Sequence, residues 1–208
     1  LILQEHEDPL PAELQLARLY RRLSRPADAV AVCRQATERR PEVAELWRSL
    51  ADSHQEAGDL DAARDCLQEG LRKVEDAAGR KSLAMRLAGL DLVTGDRAAA
   101  IARLKELAED DPQETNAREL LLSLPEIRAD PNRADPLIAE LRQIEGDSGL
   151  LWRFHQASMW LSSADWRAKR QDITDLLQHC IQADPRSTPP VLLLGRLYER
   201  SGFFREIG

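Results

Sequence analysis

Histidine and cysteine are the residue types in this chain that could support acid–base, nucleophilic or metal chemistry. They are scattered along the sequence, at His6, His54, His155, His179, Cys33, Cys66 and Cys180. Only His179 and Cys180 are adjacent, and neighbouring residues of a helix point about 100° apart. The cysteine spacings match no zinc-binding pattern. We therefore expect no metal site, and we interpret the cysteines as small buried apolar residues.

Motifs that carry catalysis are missing from the sequence. It contains no nucleophile elbow, no phosphate-binding loop and no His-Glu metal motif. Pairs of Asp and Glu fall on polar helix faces, where solvation or pairing four residues apart explains them. We therefore expect no cofactor, and we expect that the chain is not an enzyme.

The secondary structure is clearest in residues 46–71, which predict two helices joined by a tight turn. One face of the first helix is marked at spacings of three and four by Trp47, Leu50, Ala51 and His54. His54 is interpreted as a packed core residue. Gly58 suits a helix end that needs positive φ, and Asp59 suits the N-cap of the second helix. The second helix has its apolar stripe at Leu60, Ala63, Leu67, Gly70 and Leu71.

Copies of this helix pair recur at nearly constant spacing. Positions equivalent to Leu50, Ala51 and Ala63 occur earlier in the chain, all shifted by one and the same interval, at Leu16, Ala17 and Ala29. They occur again after a slightly longer interval, at Leu87, Ala88 and Ala100, and the extra residues fit into the polar stretch 74–80. The first-helix pattern returns near the end, at Leu194, Gly195, Tyr198 and Gly202. Short helix pairs cannot bury their apolar faces alone, so neighbouring pairs must cover them.

The in-phase copies resemble the tetratricopeptide repeat (TPR) family, whose period is about 34 residues. The resemblance covers most of the chain and implies an all-α fold, a right-handed α-solenoid of antiparallel helix pairs. It implies about five to six repeats in a single array over residues 1–208. We expect the repeats at approximately 10–42, 43–76, 79–113, 114–146, 147–186 and 187–208, the last one truncated.

The fourth unit departs from the family pattern. Pro125 falls where the family places an aromatic residue in the first helix, and it should end or kink that helix. Asp130-Pro131 and Asp135-Pro136 offer two competing starts for the second helix. We expect helices over about 114–124 and 136–144, either as a degenerate repeat or as irregular helices that join two subarrays.

Composition argues against several other classes of protein. Aromatic residues make up only 4% of the chain and Gly is sparse, which disfavours a β-sandwich of many short strands. A net charge of −7 disfavours nucleic-acid binding. No run of apolar residues is long enough to cross a bilayer, so we expect no membrane span.

Origin and location are constrained only indirectly. Basic residues are nearly all Arg, which we interpret as the base composition of a bacterial genome. The chain starts without Met and stops where a second helix should continue, which indicates a piece of a longer protein. Unpaired cysteines favour a reducing compartment such as the cytoplasm, and a periplasmic location stays open if an export signal has been removed.

The resemblance also implies where a partner would bind. In TPR proteins the outward positions of the first helices line a concave groove that meets the ligand. Projected onto this sequence, those positions give the candidate partner-binding residues Arg18, Arg22, Arg48, Asp52, Met85, Leu92, Glu119, Arg153, Trp160 and Arg196.

Two patches stand out in this projected groove. Arg18, Arg22 and Arg48 would form a basic mouth, and guanidinium groups hold carboxylates in bidentate fashion, so an acidic peptide or a free C-terminus would fit. The alternative is that these arginines solvate a helix face or pair with Asp and Glu. An apolar middle for an extended or helical peptide would come from Met85, Leu92, Val93, Trp160 and Leu161. The alternative for that patch is ordinary packing between repeats.

The resemblance therefore implies a protein–protein interaction scaffold that binds a peptide or partner protein in its groove. An alternative is a recruiting segment of a larger enzyme or of an envelope polysaccharide or secretion system. A third hypothesis is self-association through the end repeats, because a truncated solenoid leaves an apolar face without a cap.

Overall fold

The computed structural model describes residues 10–202. These residues form the helices α1 (Leu10–Arg22), α2 (Pro26–Arg39), α3 (Ala44–Glu56), α4 (Leu60–Lys73), α5 (Ala77–Thr94), α6 (Arg97–Asp110), α7 (Thr115–Ser123), α8 (Pro125–Arg128), α9 (Pro131–Glu145), α10 (Leu151–Ser162), α11 (Arg170–Ala183) and α12 (Thr188–Ser201). The predicted all-α solenoid of paired helices is confirmed. His6 and the second helix expected after residue 202 lie outside the described residues.

The chain divides into two compact units, Leu1–Leu107 and Ala108–Gly208, which we call unit 1 and unit 2. In unit 1, α1 packs on α2 and α3 on α4, while α2 also contacts α3 and α4 contacts α5. The first helices α1, α3 and α5 contact one another in that order. In unit 2, α9, α10, α11 and α12 pack in sequence, and α7 contacts both α8 and α9. A single array over residues 1–208 stays a prediction.

The turn chemistry expected in unit 1 is confirmed. Gly58 has φ of +83° at the end of α3. The Asp59 carboxylate accepts a hydrogen bond from the backbone N–H of Ala62 at 3.0 Å, which caps α4. The repeat register also holds, because Ala29, Ala63 and Ala100 are all fully buried. These equivalent positions along the sequence are therefore equally buried.

Helix α5 begins at Ala77, inside the polar stretch 74–80 where the extra residues were expected. The Asp76 carboxylate accepts hydrogen bonds from the backbone N–H groups of Ala78 and Gly79, at 3.3 and 2.6 Å. Val74, just before this cap, is buried in the core of unit 1. The stretch expected to be a polar insertion thus supplies a core residue, an N-cap and an extra helical turn.

In the fourth repeat, one predicted helix boundary is confirmed and another is wrong. Helix α7 ends at Ser123 as expected from Pro125, which itself begins the one-turn helix α8. Helix α9 starts at Pro131 instead of Pro136, with Asp130 accepting from the backbone N–H of Asn132 at 3.0 Å. The earlier start places Ala134 on a helix, where it is fully buried in the core cluster of unit 2. Pro136 is accommodated inside α9.

Candidate functional site

Three consecutive first helices of unit 1 are joined through one carboxylate, that of Asp52 on α3. Arg21 of α1 lies with its Nη1 3.1 Å from Asp52 Oδ2. Arg86 of α5 donates from Nε to Asp52 Oδ1 at 2.7 Å and from Nη2 to Gln55 Oε1 at 2.9 Å. We call the surface formed by α1, α3 and α5 the first-helix face of unit 1.

The bridge at Asp52 lies at the edge of solvent. The side chains of Arg21, Asp52 and Arg86 are 18%, 24% and 35% exposed. Charges in such partly desolvated positions attract each other more strongly than fully exposed ones, because less water screens them. The bridge therefore fixes the spacing of the three helices while part of it stays accessible from outside.

The predicted basic residues of unit 1 behave differently from one another. Arg18 and Arg22 are exposed on α1. Arg48 is engaged on its own helix, with Nη2 3.2 Å from Glu45 Oε1. This contact is the alternative considered for Arg48, pairing with an acidic neighbour. Arg18 and Arg22 are thus the exposed basic pair at the α1 end of the first-helix face.

The predicted apolar residues are only partly accessible. Met85 and Leu92 on α5 are half-buried, and Val93 is 62% exposed. In unit 2, Leu161 is buried in the core, so packing is its role. Trp160 is half-buried against that core, and Lys169 Nζ lies 5.2 Å from the centroid of its ring.

The remaining candidates lie in unit 2. Arg153 stacks over the Trp152 ring at 4.4 Å and donates hydrogen bonds to the carbonyl oxygens of Gly149 and Asp147. Glu119 is half-buried on α7, and Arg196 is exposed on α12. Arg153 therefore supports the local structure around Trp152. Partner binding by Glu119 and Arg196 stays a prediction.

Two of the histidines, His54 and His155, are buried side chains. His54 is buried, as expected for a packed core residue, and burial lowers its pKa. His155 is 4% exposed, and burial, followed by the nearby charge of Arg128, lowers its pKa to about 4. Its Nε2 has no hydrogen-bond partner among the described residues. At neutral pH both side chains are held uncharged.

The cysteines are unsuited to nucleophilic work. All three are free thiols, with Cys33 and Cys180 buried and Cys66 half-buried. Burial raises the pKa of each thiol, in the case of Cys66 to about 11. Because the thiolate is the reactive form, these side chains act as small apolar residues.

The sequence analysis did not identify two arginines that make important contacts, Arg86 and Arg118. Arg86 follows Asp52 by one family period, whereas the longer interval between α3 and α5 assigns Gly89 to that position. Arg118, 5% exposed, donates to the Ala108 carbonyl oxygen at 2.9 Å and pairs with Glu140 at 2.7 Å. It also donates to the Glu114 carbonyl oxygen, so it satisfies backbone acceptors in the last turn of α6 and in the loop that follows. The family period could have identified Arg86, but nothing in the sequence marks Arg118 as buried.

Among residues 10–202, no group of three or more His, Cys, Asp or Glu side chains could hold a metal ion. Within the same range, no helix has the length and apolar character needed to cross a membrane.

Residues 20–85, from the end of α1 to the middle of α5, match the family model of the tetratricopeptide repeat. This segment belongs to the tetratricopeptide repeat family. None of the curated proteins matches the chain in sequence. The resemblance inferred from the spacing of Leu, Ala and Gly residues is thereby confirmed for the part of the chain where that spacing is most regular.

Solved structures show the same fold. A tetratricopeptide repeat protein from Parabacteroides merdae is 14% identical with a TM-score of 0.69, over 94% of this chain and 75% of that one. PilF from Pseudomonas aeruginosa is 17% identical with a TM-score of 0.65, over 91% and 82%. YrrB, described as a TPR protein with an unusual peptide-binding site, is 15% identical with a TM-score of 0.53, over 90% and 92%. At these identities the TPR likeness concerns the fold alone.

Proposed function

We propose that this TPR protein is an interaction scaffold that binds an acidic peptide segment of a partner protein on the first-helix face of unit 1. Tetratricopeptide repeats generally serve as protein–protein interaction scaffolds and are typically non-catalytic. Peptide binding is also what the description of the similarly folded YrrB attributes to that protein. The observation that carries the proposal is the exposed pair Arg18 and Arg22 beside the Asp52 bridge.

The charge balance of this face favours an acidic ligand. Arg21 and Arg86 share the Asp52 carboxylate, and Arg21 also lies 3.8 Å from Glu56. Their charge is thus largely compensated within the face. Arg18 and Arg22 add two positive charges at its α1 end, where guanidinium groups can bind carboxylates with two parallel hydrogen bonds. The half-buried Met85 on α5 offers an apolar contact for the same ligand.

The test uses a labelled decapeptide of alternating Glu and Leu, and a matched peptide in which Gln replaces each Glu. Fluorescence anisotropy should show tighter binding of the Glu peptide, with affinity falling as salt is raised. The double variant R18E/R22E should weaken binding of the Glu peptide by roughly 10- to 100-fold, since each charge-assisted contact contributes about 1.5 kcal/mol.

The matched control is R72E/K73E, which makes the same charge change on α4, a second helix of the same unit. Both side chains are more than half exposed. Equal losses in the two double variants would mean that only net charge matters, and the first-helix face would be the wrong site. Equal affinity for the Glu and Gln peptides would rule out an acidic ligand.

A further inference from the structure

The first-helix face of unit 1 changes from basic to apolar between α1 and α5. Three positions of the repeat carry arginine on α1, namely Arg18, Arg21 and Arg22. Their counterparts on α5, two repeats further on, are Gly89, Leu92 and Val93. Helix α3 lies between α1 and α5, so these two groups of residues belong to opposite edges of one surface. A ligand that crosses this surface meets positive charge at one edge and apolar groups at the other.

The α3 positions between the two edges are already engaged by contacts within the protein. Asp52 is bridged by Arg21 and Arg86, and Gln55 accepts a hydrogen bond from Arg86. Glu56 lies 3.8 Å from Arg21. The charges in the middle of the face thus compensate one another and offer a ligand little net attraction. A ligand therefore gains its specific contacts at the α1 edge and at the α5 edge.

The α5 edge is open at Gly89. No side chain lies within 4 Å of the point where a Cβ of Gly89 would be. Met85 and Leu92 precede and follow it by four and three residues, so they lie on the same face of α5, where both are half-buried. We call this opening, bordered by Met85 and Leu92, the Gly89 notch.

Packing explains another helical glycine of unit 1 and does not explain Gly89. A Cβ on Gly70 would lie 2.7 Å from Trp47 Cγ, so only glycine fits there. Gly89 has no such neighbour, although glycine inside a helix is less stable than alanine. A glycine without a packing reason leaves room for the close approach of a group from outside the chain. The walls of the notch indicate that this group is apolar.

We propose, on the basis of the function proposed above, that the ligand segment is bipartite, with acidic residues that bind Arg18 and Arg22 and a large aliphatic side chain that fills the Gly89 notch. Axes of neighbouring helices are about 8–10 Å apart, which puts α1 and α5 about 16–20 Å apart. An extended chain advances about 3.3 Å per residue, so the two anchors of the segment are about five to six residues apart.

The test uses capped, fluorescein-labelled peptides made of two Glu, four Ser and one Leu, in this order and in the reverse order. Matched peptides have Ala in place of Leu. Fluorescence anisotropy should show that, in one of the two orders, the Leu peptide binds the wild type roughly 10-fold more tightly than the Ala peptide. A third peptide, with Leu directly beside the Glu pair, should lose this advantage because its anchors are too close together.

The variant Gly89→Leu fills the notch with a side chain of the protein itself. It should bind the Leu and Ala peptides equally well, with the affinity that the wild type has for the Ala peptide. Its Tm should equal or exceed that of the wild type, because leucine favours the helix and meets no side chain at this position. The matched control is Gly195→Leu in α12 of unit 2, where a Cβ also has no neighbour within 4 Å. This control should keep the full advantage of the Leu peptide.

The outcomes separate this proposal from the one on which it rests. An undiminished Leu advantage in Gly89→Leu, or an equal loss in Gly195→Leu, would overturn the bipartite ligand and leave acidic binding at Arg18 and Arg22 standing. Failure of the wild type to bind any of these peptides would overturn both proposals. Light scattering tests a second copy of the chain as the occupant, and a dimer that Gly89→Leu dissociates would assign the notch to that copy and overturn the bipartite ligand.

Discussion

Units 1 and 2 share one kind of contact at the start of a first helix, a hydrogen bond from a tryptophan side chain to a backbone carbonyl oxygen. The other polar contacts around this point differ between the two units. In unit 1 the Trp47 indole N–H donates to the Pro41 carbonyl oxygen, six residues earlier, at 2.7 Å. In unit 2 the Trp152 indole N–H donates to the Gly146 carbonyl oxygen, also six residues earlier, at 3.1 Å. In each unit a glycine lies close to the tryptophan, Gly70 and Gly149 respectively.

The polar contacts of the two units are of different kinds. Unit 1 links three first helices through the Asp52 carboxylate. In unit 2 two tryptophans each stack with two arginines, Trp152 with Arg142 and Arg153, and Trp166 with Arg167 and Arg200. The comparison shows that the two units share the packing of tryptophan at the start of a first helix, while the charged side chains around it make different contacts in each unit.

The largest effect is expected from Gly70→Ala in unit 1. A Cβ at this position would lie 2.7 Å from Trp47 Cγ and 2.8 Å from Trp47 Cβ, which is too close for either atom to give way easily. We expect a loss of about 3 kcal/mol in the free energy of unfolding, measured by urea denaturation followed by tryptophan fluorescence. Gly89→Ala is the control, because nothing lies within 4 Å of its Cβ and helix propensity alone should make it neutral or stabilising. Similar losses for both variants would refute the close Gly70–Trp47 packing.

The second largest effect is expected when the pH is lowered, because His155 of unit 2 is buried. Burial lowers the pKa of His155 to about 4, against an ordinary value of 6.5. The unfolded chain therefore binds more protons than the folded one between pH 6.5 and 4. Stability from this group is complete above pH 6.5 and falls by about 2–3 kcal/mol as the pH drops to 4. His155→Phe should remove this part of the pH dependence. The free energies of unfolding of the wild type and the variant, measured by urea denaturation at a series of pH values, should therefore diverge below pH 6.5. Parallel curves would show that His155 is not buried in its neutral form.

The third variant, Asp52→Asn, tests the shared carboxylate that links the first helices of unit 1. It removes the carboxylate shared by Arg21 and Arg86, and we expect a loss of about 1–2 kcal/mol that shrinks as salt is raised. The control is Glu45→Gln, which breaks the exposed pair with Arg48 and should cost at most about 0.5 kcal/mol. If both substitutions have the same small effect, the Asp52 bridge does not hold the first helices together.

The smallest effects should be alike in the two units. Trp47→Phe and Trp152→Phe each remove one indole hydrogen bond to a backbone carbonyl oxygen, for a loss of about 1 kcal/mol apiece. Hydrogen exchange of the amides in α3 and in α10 measures the two losses separately. A much larger loss in unit 2 would show that the stacking of Arg142 and Arg153 on Trp152 contributes more than the shared hydrogen bond.

The helix pairs were predictable because their signals are local. Gly58 with Asp59, and Pro125 at the end of α7, act through backbone geometry within a few residues, so the sequence alone places these boundaries. The start of α9 was misplaced because Asp130-Pro131 and Asp135-Pro136 have the same local chemistry. Burial of Ala134 in a core made by other helices separates them.

The candidate site was predictable in outline and not in detail. Periodicity placed Asp52, Arg18 and Arg22 on first helices, and the structure confirms that placement. It could not show that Asp52 binds Arg21 and Arg86, since which charged side chains meet depends on how neighbouring helices are rotated and spaced. Partner binding by the candidate residues stays a prediction.

The sequence by itself determined the helix pairs of unit 1 and the positions of their small buried residues, because helix ends and apolar periodicity act within a few residues. Only the tertiary structure decided which charges are shared across helices, that Arg118 and His155 are buried, and that the space beside Gly89 is open. These outcomes depend on distances between residues far apart in sequence, which local periodicity does not encode.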